Sequence, residues 1–179
     1  NRLYIPCYFD NKLYNIECRD YTKRSRIKVL YPPSAESEIL FNWDNIDKNE
    51  TVFIVEGIKG LSTVWNFYSR NVISTFGKSP KPLQMKFIKT LPKVCIIPDN
   101  DENKINKKTG LPVDNFNEMI SLYKDFYGES FEVAYIPQKG FDTNDLTRSQ
   151  LIEVLDSRKL ASLQEKVGED SIDDYQKII

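Results

Sequence analysis

The 179-residue sequence predicts an α/β protein, in which a mostly parallel sheet flanked by helices follows a small, basic, mainly antiparallel β lobe. Three observations support this fold class. Short extended segments separated by polar turns fill the first 31 residues. After residue 50, apolar runs typical of buried strands alternate with segments of helical periodicity. Such alternation favours parallel strands covered by helices on both faces.

In the N-terminal part we predict three strands, at residues 3–9, 12–19 and 26–31. Asp10-Asn11 is the predicted turn between the first two. Residues 44–50 are mostly polar and read as a linker. We therefore divide the chain into a basic lobe (1–50), a sheet domain (51–147), and a C-terminal helix with an acidic tail (148–179).

The sheet domain is predicted to contain four strands and three helices, with a closing helix after it. The strands are expected at residues 51–55, 71–76, 94–97 and 131–136. Helical spacing of apolar residues marks helices that contain Leu61, Val64, Trp65 and Tyr68; Leu83, Phe87, Ile88 and Leu91; and Val113, Phe116, Met119, Ile120, Tyr123 and Phe126. Pro80 is expected in the first turn of the second helix, because proline fits that position. The closing helix is expected at residues 150–167.

Composition excludes several classes of site. The chain has no histidine, and its three cysteines form no CxxC pair, which excludes the usual zinc sites and histidine-based catalytic triads. Any chemistry must therefore use carboxylates, lysines, arginines and a hard metal ion. No apolar run approaches the roughly 20 residues that a membrane span needs, so no membrane partner is expected. Because the chain begins with Asn1, we expect a piece of a larger, cytoplasmic protein.

Charge is distributed unevenly along a chain whose net charge is −1. Residues 1–31 contain seven lysines and arginines against three acids, whereas residues 142–179 contain nine acids against five cations. The basic lobe favours contact with a polyanion on one side of the molecule. The alternative is that these charges only solvate the surface.

Carboxylates follow two of the predicted strands. Glu56 ends the first strand of the sheet domain, and Asp99 and Asp101 follow the third. Residues two apart in extended backbone project to the same side, so the two aspartates can share one cation. Ligands collect at the carboxyl ends of parallel strands, and magnesium prefers such oxygen ligands. Taken alone, each motif is more often a surface turn.

Together, four segments resemble the Toprim domain, which bacterial-type primases, topoisomerases and some nucleases share. They are Ile54-Val55-Glu56-Gly57, residues 72–79, Asp99-Asn100-Asp101 and residues 140–146. The resemblance implies that Asp99 and Asp101 hold Mg²⁺, or Mn²⁺, with Asp142 or Asp145 near the same ion. It also implies that Glu56 ligates metal or moves a proton. The alternative for Asp142 and Asp145 is capping of a helix N-terminus.

The basic lobe resembles that of DnaG-like primases. Leu3-Tyr4-Ile5-Pro6, the Asp10-Asn11 turn, Arg19 and Lys28 occur in the family's order. The resemblance implies that Arg19 and Lys28 contact template or nucleotide, and Lys78 and Tyr31 complete the expected binding set. Simple solvation of these cations is the alternative.

A DnaG-like core implies a nucleotidyltransferase that synthesises short RNA primers for DNA replication from NTPs on single-stranded DNA. Its template-reading zinc-binding module or replicative helicase would be partners, and the 140–146 element resembles phage or mobile-element enzymes. Two departures stand out: Glu102-Asn103-Lys104 replaces a small-residue segment, and Ile58-Lys59-Gly60 lacks the family's usual acid. The alternative function is a Toprim nuclease that cleaves DNA with the same acidic site.

Overall fold

A computed structural model describes residues 1–32, 38–100, 105 and 115–161 of the chain. Asp101 and residues 162–179 lie outside this part. The described strands are β1 (Arg2–Phe9), β2 (Lys12–Asp20), β3 (Val29–Leu30), β4 (Val52–Val55), β5 (Val72–Ser74), β6 (Val94–Ile97), β7 (Glu132–Val133) and β8 (Lys159–Leu160). The helices are α1 (Ile58–Phe67), α2 (Pro82–Ile88), α3 (Asn115–Tyr127) and α4 (Arg148–Asp156), with 3₁₀ helices at Trp43–Asn45 and Thr143–Asp145.

The N-terminal lobe is a three-stranded antiparallel sheet in the order β1-β2-β3. Its first turn has both central residues at positive φ, 51° at Asp10 and 56° at Asn11, as a two-residue hairpin turn requires. The Asp44 carboxylate accepts hydrogen bonds from both of their backbone N–H groups, each at 2.9 Å. The predicted hairpin is therefore confirmed, and it is fastened to the segment that leads into the second sheet.

The second sheet has the order β5-β4-β6-β7-β8, with parallel pairing except between β7 and β8. All residues of β4, β5 and β6 are buried, because both faces of the sheet are covered. Side chains of α1 and α4 pack on one face, and those of α2 and α3 pack on the other. The predicted α/β class is confirmed. None of the helices in the described residues is long and apolar enough to span a bilayer.

Four sequence predictions need correction. The third lobe strand, predicted at residues 26–31, is only Val29–Leu30. The second helix begins at Pro82, not in a turn containing Pro80, and the Gln84 side chain accepts a hydrogen bond from the Lys81 backbone N–H at 2.7 Å. The strand predicted at 131–136 is only Glu132–Val133. The closing helix ends at Asp156, because the next residues form β8 and pair with β7.

The residues just before the predicted linker (44–50) pack against the second sheet. Leu40 and Trp43 are buried in the core of the five-stranded sheet. Phe41 forms a bridge with Ser74, so the chain lies along β5 before β4 begins. This arrangement places the lobe beside the ends of β5 and β4.

Candidate active site at the carboxyl edge of the sheet

The carboxyl edge of the five-stranded sheet, where β4, β5 and β6 end, brings two of the predicted acids together. Glu56 follows β4 and is 9% exposed, and the half-buried Asp99 follows β6 after Pro98. Because β4 and β6 are adjacent parallel strands, with Val55 opposite Ile97, the two segments leave the sheet side by side. The Asp99 backbone N–H donates to Glu56 Oε1 at 3.3 Å. The structure therefore places the Glu56 carboxylate beside the backbone of Asp99, and their sharing of one cation stays a prediction.

The end of β5 fixes the backbone that carries Glu56. The buried Ser74 hydroxyl donates to the Glu56 carbonyl oxygen at 3.1 Å, and it accepts from the Phe76 backbone N–H at 3.3 Å. The Thr75 hydroxyl donates to the Gly77 carbonyl oxygen at 2.6 Å, and Phe76 has a φ of 59°. This turn also carries the exposed Lys78, so that predicted cation lies at the same edge of the sheet as Glu56.

Asn100 joins the end of β6 to the loop that carries the last predicted acids. Its side chain is 3% exposed and donates to the Ile136 carbonyl oxygen at 2.9 Å. Its backbone N–H donates to the Phe141 carbonyl oxygen at 2.9 Å, and its own carbonyl accepts from Gly140. No role for Asn100 was predicted from the sequence. Its signal was available, because a short amide between two acids after a buried strand must satisfy backbone groups there.

Asp142 and Asp145 form a capping box on the short 3₁₀ helix Thr143–Asp145. The Asp142 carboxylate accepts from the Asn144 backbone N–H at 2.8 Å, and Asp145 Oδ2 accepts from the Asp142 backbone N–H at 3.0 Å. The capping alternative is thus observed, although on this turn and not on α4, which Thr147 caps. A metal-binding role for the two aspartates stays a prediction.

The capping box packs directly against the first helix of the sheet. A Cβ atom on Gly60 would lie 3.3 Å from Thr143 Cβ and 3.5 Å from Val55 Cβ, so a larger residue would crowd this contact. Thr143 is 1% exposed, and its hydroxyl has no hydrogen-bond partner among the described residues. The loop therefore approaches the Glu56 strand closely, with one buried polar atom left unsatisfied.

The donor set at this edge fits a hard divalent cation in chemistry. Glu56 and Asp99 supply carboxylate oxygens only, which Mg²⁺ and Mn²⁺ prefer, and neither histidine nor cysteine lies among the predicted ligands. Within residues 1–32, 38–100, 105 and 115–161, three or more acids, cysteines or histidines do not form a group close enough to hold a metal. Asp101, the predicted partner of Asp99, lies outside the described residues.

On the lobe, Arg19 belongs to a cluster that also contains Glu17 and Tyr31. Arg19 Nε donates to Glu17 Oε1 at 2.7 Å, and the Tyr31 hydroxyl donates to Glu17 Oε2 at 2.9 Å. Burial raises the pKa of the Tyr31 hydroxyl, and the adjacent Glu17 carboxylate raises it further. The Tyr31 ring also packs edge-on against Phe76, with centroids 6.0 Å apart. The cluster therefore lies next to the turn that follows β5.

No role for Glu17 was predicted from the sequence. Its position two residues before Arg19 in a strand placed both side chains on one face of the lobe sheet. That spacing was the signal that could have identified it.

Lys28, another predicted binding residue of the lobe, is exposed. Only its carbonyl oxygen bonds to other described residues, accepting from the Asp20 backbone N–H at 2.9 Å and from Arg2 Nη1 at 3.5 Å.

A cleft of about 730 Å³ separates the lobe from α1. Its lining includes three cations and several apolar groups: Arg19, Lys23, Lys59, Phe41, Ile58 and Trp65. Ile58 follows Glu56-Gly57 directly, so the cleft begins next to the acidic site. Asp20 also lines the cleft, so three cations stand against one acid and the lining is net positive. A cleft of this size and charge suits a phosphate-bearing ligand.

The sequence matches no protein-family profile and no curated protein sequence. Solved structures share the fold. The Aquifex aeolicus primase, with zinc-binding and RNA polymerase domains, has a TM-score of 0.70 at 19% identity, over 94% of this chain and 43% of its own. The Mycobacterium tuberculosis DnaG RNA polymerase domain, bound to double-stranded DNA with a six-nucleotide overhang, has a TM-score of 0.69 at 14% identity, over 98% and 60%.

The E. coli primase catalytic core has a TM-score of 0.65 at 13% identity, over 93% of this chain and 56% of its own. The chain thus has the fold of DnaG primase catalytic cores, and it spans about half the length of these solved structures. The match covers both the lobe and the five-stranded sheet, because more than nine-tenths of the chain superimposes.

Proposed function

We propose that this chain is the catalytic core of a DnaG-like primase, which synthesises short RNA primers from NTPs on a single-stranded DNA template. The observation that carries the proposal is the meeting of Glu56 and Asp99 at the carboxyl edge of the sheet. The adjoining positive cleft and the fold shared with primase cores support it.

The reaction would be attack of a primer 3′-hydroxyl on the α-phosphate of an incoming nucleotide, which forms the new phosphodiester bond, breaks the bond between the α- and β-phosphates and releases pyrophosphate. Asp99, Asp101 and Glu56 would hold Mg²⁺ or Mn²⁺, with Asp142 or Asp145 nearby. The ion would lower the pKa of the 3′-hydroxyl and stabilise the negative charge that develops on the phosphate oxygens. Arg19, Lys28 and Lys78 would bind phosphates, which suit both a guanidinium fork and an ammonium group. Because the Tyr31 hydroxyl already donates to Glu17, a contact of Tyr31 with a base would use its ring face.

The partners in this proposal are the template, the nucleotides and a template-reading component outside this chain. A zinc-binding module or a replicative helicase would supply sequence choice, because the proposed phosphate contacts position nucleic acid without reading it. We place the reaction in the cytoplasm of a bacterium or a phage-infected cell, as the phage-like element at residues 140–146 suggests.

Incubation with single-stranded DNA, labelled NTPs and Mg²⁺ or Mn²⁺ tests the proposal. We expect short RNA products and intact template; cleaved DNA without RNA would instead support the nuclease alternative. Glu56→Gln keeps an oxygen that can accept the Asp99 N–H, and Asp99→Asn leaves that N–H in place. Both variants should therefore fold, and each should lose about 10²-fold or more of the synthesis rate.

Glu132→Gln and Asp156→Asn are the matched controls, since both remove a carboxylate charge away from the carboxyl edge of the sheet. They should synthesise primers at the wild-type rate. Unchanged synthesis by both Glu56→Gln and Asp99→Asn would overturn the proposed site.

A further inference from the structure

We infer that Glu17 is a positioning residue, which holds the Arg19 guanidinium in the orientation that binds a phosphate in the cleft between the lobe and α1. The inference rests on the proposed function, and it concerns how the lobe orients the Arg19 side chain for phosphate binding.

The burial of Glu17 is unusual for a carboxylate. The residue is 1% exposed, and it lies in β2 directly opposite Ile5 of β1, beside the fully buried Cys7. A buried carboxylate is costly unless hydrogen bonds satisfy it, so an apolar residue would be the simpler choice on this face of the sheet. Glu17 is retained there with both oxygens bonded, one to Arg19 and one to Tyr31.

The contact leaves the binding end of Arg19 available. Arg19 is held through Nε alone, at 2.7 Å, and its two terminal nitrogens make no hydrogen bond to any described residue. The side chain retains 22% exposure and lines the cleft with Lys23 and Lys59. A guanidinium held at Nε still presents a planar pair of nitrogens, which matches two oxygens of a phosphate.

Tyr31 makes this arrangement rigid. Its hydroxyl holds the second oxygen of Glu17, and its ring is packed on Phe76 at the end of β5. The Glu17 carboxylate therefore cannot rotate away from Arg19 without losing its hydrogen bond from the Tyr31 hydroxyl. Fixing a long side chain before binding removes part of the entropy that it would lose in the complex. The consequence is a cation that is already ordered relative to the carboxyl edge of the sheet.

Two variants separate positioning from charge. Glu17→Gln keeps an acceptor for Arg19 and removes the negative charge, whereas Glu17→Leu removes both acceptors at similar volume. If Glu17 positions Arg19, Glu17→Leu should weaken phosphate binding about tenfold and Glu17→Gln by less than about threefold. Tyr31→Phe loses only the hydroxyl, and its loss of phosphate affinity should lie between those of the two Glu17 variants. Tighter binding by Glu17→Leu than by the wild type would show that Glu17 restrains Arg19, and would overturn the inference.

The measurements are the affinity for a fluorescent single-stranded oligonucleotide and, separately, the KM and kcat for NTPs in primer synthesis. These two arms distinguish a template phosphate from a nucleotide phosphate. We expect Glu17→Leu to weaken either oligonucleotide binding or the apparent binding of NTPs, seen as a higher KM. The value of kcat should change less than the affected binding constant. In an Arg19→Met background, Glu17→Leu should change neither readout by more than about twofold, because its effect passes through Arg19. An equal loss in both backgrounds would contradict positioning.

Thermal unfolding and the protection of Cys7 from a thiol reagent report folding of each variant, and Tyr31→Phe keeps the test open if Glu17→Leu fails to fold. Glu132→Gln is the control, since it removes the charge from a similar Arg–Glu pair elsewhere and should leave both binding readouts unchanged. A wild-type protein that neither primes nor binds would remove the proposed function and this inference together. A wild-type protein that primes, with independent effects of Glu17 and Arg19, would remove the inference alone.

Discussion

Two clusters of similar composition lie at different ends of the molecule. The lobe cluster contains Glu17, Arg19 and Tyr31. The second, which we name the amino-edge cluster, contains Tyr68, Glu132, Asp156 and Arg158, beside the residues that precede β4 and β5. In each, an arginine Nε donates to a glutamate, at 2.7 Å for Arg19 and 2.8 Å for Arg158. In each, a tyrosine hydroxyl donates to a carboxylate.

The two arginines differ in whether their terminal nitrogens donate hydrogen bonds to other described residues. Arg158 Nη1 donates to the Leu155 carbonyl oxygen at 2.7 Å and to the Tyr68 hydroxyl at 3.1 Å, so its guanidinium ties α4 to α1. The terminal nitrogens of Arg19 have no such partners among the described residues. We conclude that an arginine bonded through both Nε and a terminal nitrogen stabilises the fold, whereas one bonded through Nε alone next to a cleft is suited to bind a ligand.

The largest expected contrast comes from removing each guanidinium. Arg19→Met should weaken nucleotide or template binding about tenfold or more. It should also lower the free energy of unfolding, because the buried Glu17 carboxylate loses its bond to Arg19 and keeps only the bond to Tyr31 among the described residues. Arg158→Met should leave binding unchanged and lower the free energy of unfolding by about 1–3 kcal/mol, because it removes hydrogen bonds made by a charged group. Primer synthesis and urea unfolding of both variants measure the contrast. Equal effects on binding and stability in the two variants would refute it.

A smaller contrast concerns two buried threonines at the carboxyl edge. The Thr143 hydroxyl has no partner in the described structure, so Thr143→Val should raise the free energy of unfolding by about 1 kcal/mol. The Thr75 hydroxyl donates to Gly77 at 2.6 Å, so Thr75→Val should lower it by about 1 kcal/mol. Chemical denaturation gives both values. A loss of stability in Thr143→Val would mean that the hydroxyl is satisfied in solution.

The smallest effect is a difference in cysteine reactivity. Burial raises the pKa of the Cys7 thiol to about 11, so this thiol stays protonated and unreactive at pH 8. Cys95 is buried, and Cys18, on the half-exposed side of β2, is the accessible thiol. A thiol reagent should therefore modify one cysteine rapidly and two slowly, as counted by mass spectrometry. Rapid modification of Cys7 would show that the lobe opens around Glu17.

Much of the fold could be predicted from the sequence because its signals are local. The buried runs at β4 and β6 and the spacing of apolar residues in α1 identify elements that tertiary packing leaves in place. The strand at β7 was predicted too long, at 131–136, and β8 was not predicted, since two-residue strands have no periodicity and exist only because they pair. The end of α4 at Asp156 likewise depends on that pairing.

For the candidate site, the sequence identified the acids and missed the groups that arrange them. Glu56 and Asp99 were predicted from the strand ends, and the Glu56 carboxylate accepts a hydrogen bond from the Asp99 backbone N–H at 3.3 Å. Asn100 and Glu17 act through distant partners, Ile136 and Tyr31, which no local pattern connects. The sequence around Asp142 and Asp145 fits both a capping motif and the resemblance to a metal-binding element, and the structure shows the capping motif.

Binding of Mn²⁺, followed by electron paramagnetic resonance, tests the central claim that Glu56 and Asp99 form a site for a divalent cation. The wild-type protein should bind the ion, and Asp99→Asn and Glu56→Gln should each weaken binding about tenfold or more. Glu132→Gln and Asp156→Asn, in the amino-edge cluster, should bind as the wild type does. Equal Mn²⁺ affinity in all five proteins would contradict the account.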